Sequence, residues 1–149
     1  MKRLLCVFTL IFSLLFSSCG ENLISIEDCD WKMRAIMSTP VEDEGSVEND
    51  FIIAVGASDD VHPDAKIVVL TLSAKNGKLT VTDATNGKIY DGTYKVTKRT
   101  LKSIDYEVSI NGEIGYATVA NTTYYGGDEM PTLPINIGDY ALYFVPLEE

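Results

Sequence analysis

The chain has 149 residues, with 22 acidic residues against 12 Lys and Arg, three Cys, one His and a net charge of -10 at neutral pH. That excess of negative charge argues against a nucleic-acid partner and against an electrostatic grip on anionic lipid headgroups. A chain of this length can bury the core of one domain.

Residues 4–16 carry no charge and no turn former; Lys2 and Arg3 precede them, and Ser17, Ser18, Cys19 and Gly20 follow. This apolar run is well short of the roughly 20 residues a helix needs to cross a bilayer, so an export signal is expected rather than a permanent span. The stretch Phe16-Ser17-Ser18-Cys19 resembles a bacterial lipoprotein signal, although Phe16 stands where Leu is usual. The resemblance implies cleavage after Ser18 and lipidation of Cys19. It also implies a place in the cell envelope, tethered to a membrane, the outer membrane in preference. Several acyl chains on one residue anchor a protein stably where a single chain does not. The expected division is a signal over residues 1–18, a lipidated cysteine and tether over 19–30, and a β domain over 31–149. Removing Lys2 and Arg3 with the signal brings the net charge to -12. Cys6 leaves with the signal, and a lipid consumes Cys19, so Cys29 is left as a lone thiol. An ordinary secretory signal is the alternative; a cut directly after Ser18 would then allow a Cys19–Cys29 disulfide.

Beyond the signal, short apolar runs alternate with turn signals, the pattern of an all-β barrel or sandwich. Trp31, Met33, Ala35 and Met37 follow a period of two and are expected on one face of a first strand. Residues 38–50, with Pro40 and Gly45, read as a loop, 51–55 as a short strand and 57–66 as a second polar stretch. Asn76-Gly77 marks a hairpin. A two-residue turn there sets Leu72 opposite Val81 and Ala74 opposite Leu79, so Val68, Leu70, Leu72, Ala74, Leu79 and Val81 share a face. Residues 83–87 connect to a strand over 88–97, where Gly92 between Tyr90 and Tyr94 suggests a bulge or bend. Lys98, Arg99 and Lys102 belong to a basic turn that, with Lys95, forms a solvated cluster. Asn111-Gly112 predicts another hairpin; a two-residue turn sets Val108 opposite Gly115 and Tyr106 opposite Ala117, with Ile114 and Tyr116 on the opposite face, and a longer turn is the alternative. Residues 121–134 read as a loop. Strands over 133–137 and 140–145, joined by Gly138-Asp139, complete eight or nine in all.

The sequence Asp30-Trp31-Lys32, the run Gly92-Thr93-Tyr94-Lys95-Val96 and the closing Tyr140-Ala141-Leu142-Tyr143-Phe144 resemble the corresponding parts of a lipocalin-like (calycin-type) barrel. The resemblance implies an antiparallel meander barrel of about eight strands, with Trp31 closing its floor. A β-sandwich is the alternative architecture.

Two functions from different classes fit this pattern. One is a non-catalytic envelope lipoprotein that binds a small apolar or sugar-like ligand, held by Trp31, Met33, Tyr94, Tyr106 and Phe144. The other is an envelope structural or protein-interaction module with a filled barrel, presenting Tyr124, Tyr125 and its acidic loops to a protein partner. Tyrosine suits either, since it combines a flat apolar ring with a polar tip. Catalysis, a cofactor and a metal are not expected. There is no nucleophile elbow and no phosphate-binding glycine loop, and His62 sits in Asp59-Asp60-Val61-His62-Pro63-Asp64 without zinc or calcium spacing. Cavity volume separates the two readings, because ligand sites start at about 300 Å³.

Overall fold

A computed structural model describes residues 23–38, 52–56, 65–123 and 128–147. Among them are ten strands and no helix: β1 Trp31–Ser38, β2 Ile52–Val55, β3 Lys66–Ile67, β4 Leu70–Lys75, β5 Lys78–Asp83, β6 Lys88–Arg99, β7 Ser103–Ile110, β8 Glu113–Thr123, β9 Glu129–Ile137 and β10 Tyr140–Pro146. Strands β4 to β10 pair in chain order, and β1 joins β10 to β4. The result is a closed eight-stranded antiparallel barrel, which sets the sandwich aside. β2 and β3 lie outside it, β2 antiparallel to the second half of β1 and β3 parallel to β2.

The two Asn-Gly hairpins form as the sequence dictates. Asn76 (φ 53°) and Gly77 (φ 77°), and likewise Asn111 (φ 53°) and Gly112 (φ 85°), have positive φ at both central positions. That is the type I′ geometry whose twist matches paired strands. The registers follow: Leu72 faces Val81 and Ala74 faces Leu79, and Val108 faces Gly115 and Tyr106 faces Ala117. Inward positions of β4, β5, β7 and β8 therefore carry Leu72, Leu79, Val81, Ile104, Tyr106, Val108, Ala117 and Val119, all buried in one core cluster.

Gly92 marks a close approach rather than the bulge itself. A Cβ at Gly92 would lie 2.2 Å from the Ser109 carbonyl oxygen and 2.8 Å from Leu79 Cδ1. The β6 bulge falls instead at Thr97, between the Val96–Tyr106 and Lys98–Asp105 pairs. Gly92→Ala should therefore force β6 and β7 apart and destabilise the fold by about 1–3 kcal/mol, the usual range for overpacking. Urea denaturation of the variant beside the native chain checks this.

Four sequence expectations change. Across a bulge at Arg34, β1 shifts from Met33 opposite Phe144 to Ala35 opposite Tyr143 and Ile36 opposite Leu142. Trp31 and Met33 point inward, but beyond the bulge Ile36 takes the inward place, and Ala35 and Met37 turn out. The loop expected over 121–134 is shorter, because β8 runs to Thr123 and β9 starts at Glu129. Pro131 and Pro134 both lie within β9. The β8–β9 ladder lapses opposite Leu133 and Pro134, consistent with the missing proline N–H. The basic residues Lys95, Lys98 and Arg99 stand on β6 past Thr93, where its pairing with β5 ends. A bulged, lysine-rich overhang resists pairing with a foreign strand.

The fourth change concerns the segment read as tether. Residues 23–30 belong to the folded domain: Ile26 is fully buried, and Leu23, Ile24 and Cys29 pack against the core. The Trp31 indole N–H donates to the Ile26 carbonyl at 2.9 Å, and the Ile26 N–H donates to the Tyr106 hydroxyl at 3.1 Å. The Tyr94 hydroxyl donates to Glu27 and accepts from the Gly77 N–H at 3.2 Å. Tyr94 and Tyr106 meet edge to face, with ring centroids 5.8 Å apart. This segment plugs one end of the barrel above a floor that includes Trp31. The barrel strands run from Trp31 to Pro146, so a chain begun at Gly20 keeps all of them.

Candidate ligand-binding cup

The two ends of the barrel differ because their inward side chains differ in bulk. Towards the plugged end, Trp31, Tyr106, Leu72, Leu79, Ile104 and Leu133 are each at most 1% exposed and fill the interior. Towards the other end stand the turns 84–87, 111–112 and 138–139, and there the inward residues are mostly medium-sized aliphatics that do not meet across the bore. They leave an open cup of about 430 Å³. Ile36, Val68, Leu70, Val81, Ile110, Ile137, Leu142 and Phe144 supply its apolar wall; Tyr90, Tyr140, Asn111, Glu113 and Asp83 supply its polar groups.

Asp83 is the informative member. It closes β5 on the inward side opposite Leu70 and is only 5% exposed. Asn86 satisfies one position on each carboxylate oxygen, its N–H donating to Oδ1 at 3.0 Å and its side-chain amide to Oδ2 at 2.7 Å. The Asn86 amide, aided by the Asn86 and Thr85 N–H groups and by Lys88, holds the Asp83 carboxyl below its ordinary value of 3.8 despite burial. The same turn is tied to the chain before β4: the Val69 N–H donates to Thr85 Oγ1 at 2.7 Å, and the Ala84 N–H donates to the Val69 carbonyl at 2.9 Å.

A lowered carboxyl pKa means that the folded state binds fewer protons than the unfolded one around that pH. The stabilisation is then present above the ordinary value of 3.8 and is lost as pH falls through the lower folded value. Asp83→Asn should be less stable than the native chain at neutral pH, and the gap should shrink below that carboxylate range. Thermal melts across an acid pH series check this; a gap that stays constant with pH would contradict it.

Of the five residues expected to line a ligand site, the structure brings only Phe144 to the cup. Trp31, Met33 and Tyr106 are buried in the filled half, and Tyr94 belongs to the hydrogen-bonded floor. The expectation favoured the largest side chains, and large side chains fill space rather than enclose it. The cup-lining residues Leu70, Val81, Tyr90, Ile110 and Leu142 were missed. Their signal was positional: each is an inward position close to the same end of the barrel, which the two Asn-Gly registers begin to define.

Cys29 has no disulfide partner among the described residues; it is half-buried, and burial pushes its pKa up, with Asp28 and Asp30 adding to the shift. That environment suits an inert packing residue rather than a nucleophile. Cys19, His62, Tyr124 and Tyr125 lie outside the described residues. Among the described residues, no three His, Cys, Asp or Glu side chains gather to hold a metal.

No family model matches this sequence, and no curated protein or solved structure matches it. The closed barrel is compatible with a lipocalin-like fold.

Proposed function

We propose that this chain is a non-catalytic envelope lipoprotein of lipocalin-like build that takes a small apolar ligand into the open end of its barrel. The observation that carries the reading is the half-filled bore. A cup of about 430 Å³ with a mainly aliphatic wall falls within the roughly 300–1,000 Å³ of ordinary small-molecule sites. A filled barrel serving only as a protein-docking module has no use for that hollow. The wall also favours an apolar ligand over a sugar, since its polar groups are few.

The same reading gives the domain an orientation. Leu23 lies at the plugged end, in a small surface hollow with Leu101, Lys102, Asn121 and Glu129. A lipid on Cys19 would leave four residue steps to Leu23, a reach of at most about 14 Å. The plugged end then rests near the membrane, and the cup opens away from it, towards the aqueous side.

Native mass spectrometry of the protein taken from bacterial membranes tests both parts. The expected result is a protein begun at Cys19 and carrying acyl chains, with a bound small molecule released on activation. An unmodified N-terminus would overturn the anchor. Failure of the chain from Gly20 to bind an uncharged naphthylamine fluorophore saturably would overturn the cup.

A further inference from the structure

We infer that the cup selects an apolar molecule ending in a protonated amine and rejects one ending in a carboxylate; this rests on the cup being a ligand site, as proposed above. The two ionisable carboxyls in its lining are Asp83 and Glu113, and no Lys, Arg or His lines it among the described residues. Asp83 sits inside the wall at 5% exposure, and Glu113 is exposed at the rim, its Oε1 close over the β9–β10 turn, 2.6 Å from where a Gly138 Cβ would be.

Asn86 makes one hydrogen bond to each Asp83 oxygen and the Thr85 N–H adds a third donor, whereas an ionised carboxylate has about four acceptor positions. Capacity remains for about one donor from a ligand. An ammonium head has three N–H donors and a full positive charge, whereas a carboxylate head brings acceptors only and like charge. Lys88, the cross-strand partner of Asp83, is exposed and outside the wall; it offsets part of the Asp83 charge, and Glu113 at the rim has no such cation in the lining.

The test uses three probes with the same apolar tail: dodecylamine, dodecanol and dodecanoate, each below its micelle concentration. They displace the uncharged fluorophore from the chain begun at Gly20, at neutral pH and low salt. The amine is expected to bind at least about tenfold more tightly than dodecanoate, with the alcohol between them. Glu113→Gln, an exposed substitution, is expected to narrow the amine-to-carboxylate ratio by about threefold or more, and Glu113→Asp to restore part of it. Equal or tighter binding of dodecanoate overturns the inference, as does a ratio unmoved by Glu113→Gln. If the alcohol binds and the amine gains nothing, the charge selectivity alone fails. If none of the three binds, the ligand site fails and takes the selectivity with it.

Discussion

Replacing Trp31 by Ala is expected to destabilise the barrel by about 3–5 kcal/mol, the range for deleting a large aromatic from a packed interior. Trp31 has no exposed surface, and β1 holds it between β10 on one side and β4 on the other, with Pro146 and Leu72 as its direct partners. It also anchors the plug. The indole N–H donates to the Ile26 carbonyl, and the Ile26 N–H reaches Tyr106, so one side chain joins strand, plug and floor. Removing it leaves a cavity and deprives a buried carbonyl of its donor, two costs of separate origin. Trp31→Phe keeps most of the ring and loses the hydrogen bond, so it should cost distinctly less. Guanidinium denaturation followed by circular dichroism measures both, since the variants no longer hold the chain's only tryptophan.

The second large effect is on binding rather than stability. Leu142→Trp should lower the affinity for an apolar ligand by about tenfold or more, because the added ring occupies the volume that the ligand would fill. Leu142 faces Ile36 across β1–β10, and both residues line the cup. Extra bulk there enters open space instead of a close-packed interior. The stability loss should stay at or below the roughly 1–3 kcal/mol typical of overpacking. Titration of variant and native chains with the uncharged fluorophore, beside matched denaturation curves, separates lost affinity from lost fold. Unchanged affinity in a folded variant would place the ligand elsewhere.

How much of this was legible in the sequence depended on whether the deciding interaction was local. The Asn76-Gly77 hairpin was readable to the residue pair, since two residues with positive φ fix the register and the alternating apolar residues agree with it; at Asn111-Gly112 the turn signal was as strong, but Ile114 and Tyr116 on the outer face left a longer turn open. Closure of β1 on β10 joins residues more than a hundred positions apart. It was reached only through a resemblance to barrels and not by any local signal. The bulge at Arg34 was invisible for a different reason. Trp31, Met33, Ala35 and Met37 keep an unbroken period of two, while the strand inserts a residue and changes which face they serve. The plug reads as tether because its apolar residues, Leu23, Ile24 and Ile26, form too short a run, with no sustained period, to suggest structure. Its burial comes from the rings of Trp31 and Tyr106, far away in sequence or on another element. The candidate site was the least legible part. Hollow space is what side chains leave unoccupied, and a pattern of residues reports what is present.

A ligand that enters the open end of the barrel must pass between Asp83, Leu142 and Ile110, which line the cup. Titration of the chain begun at Gly20 with dodecanol, followed by backbone amide NMR, locates it. Binding in the cup gives saturable shifts concentrated at Ile36, Val81, Tyr90, Ile110, Ile137 and Leu142, with the floor around Ile26 and Trp31 little changed. Shifts gathered instead on the exposed outer side chains Ile114 and Tyr116, each 63% exposed, or no saturable shifts at all, would contradict it.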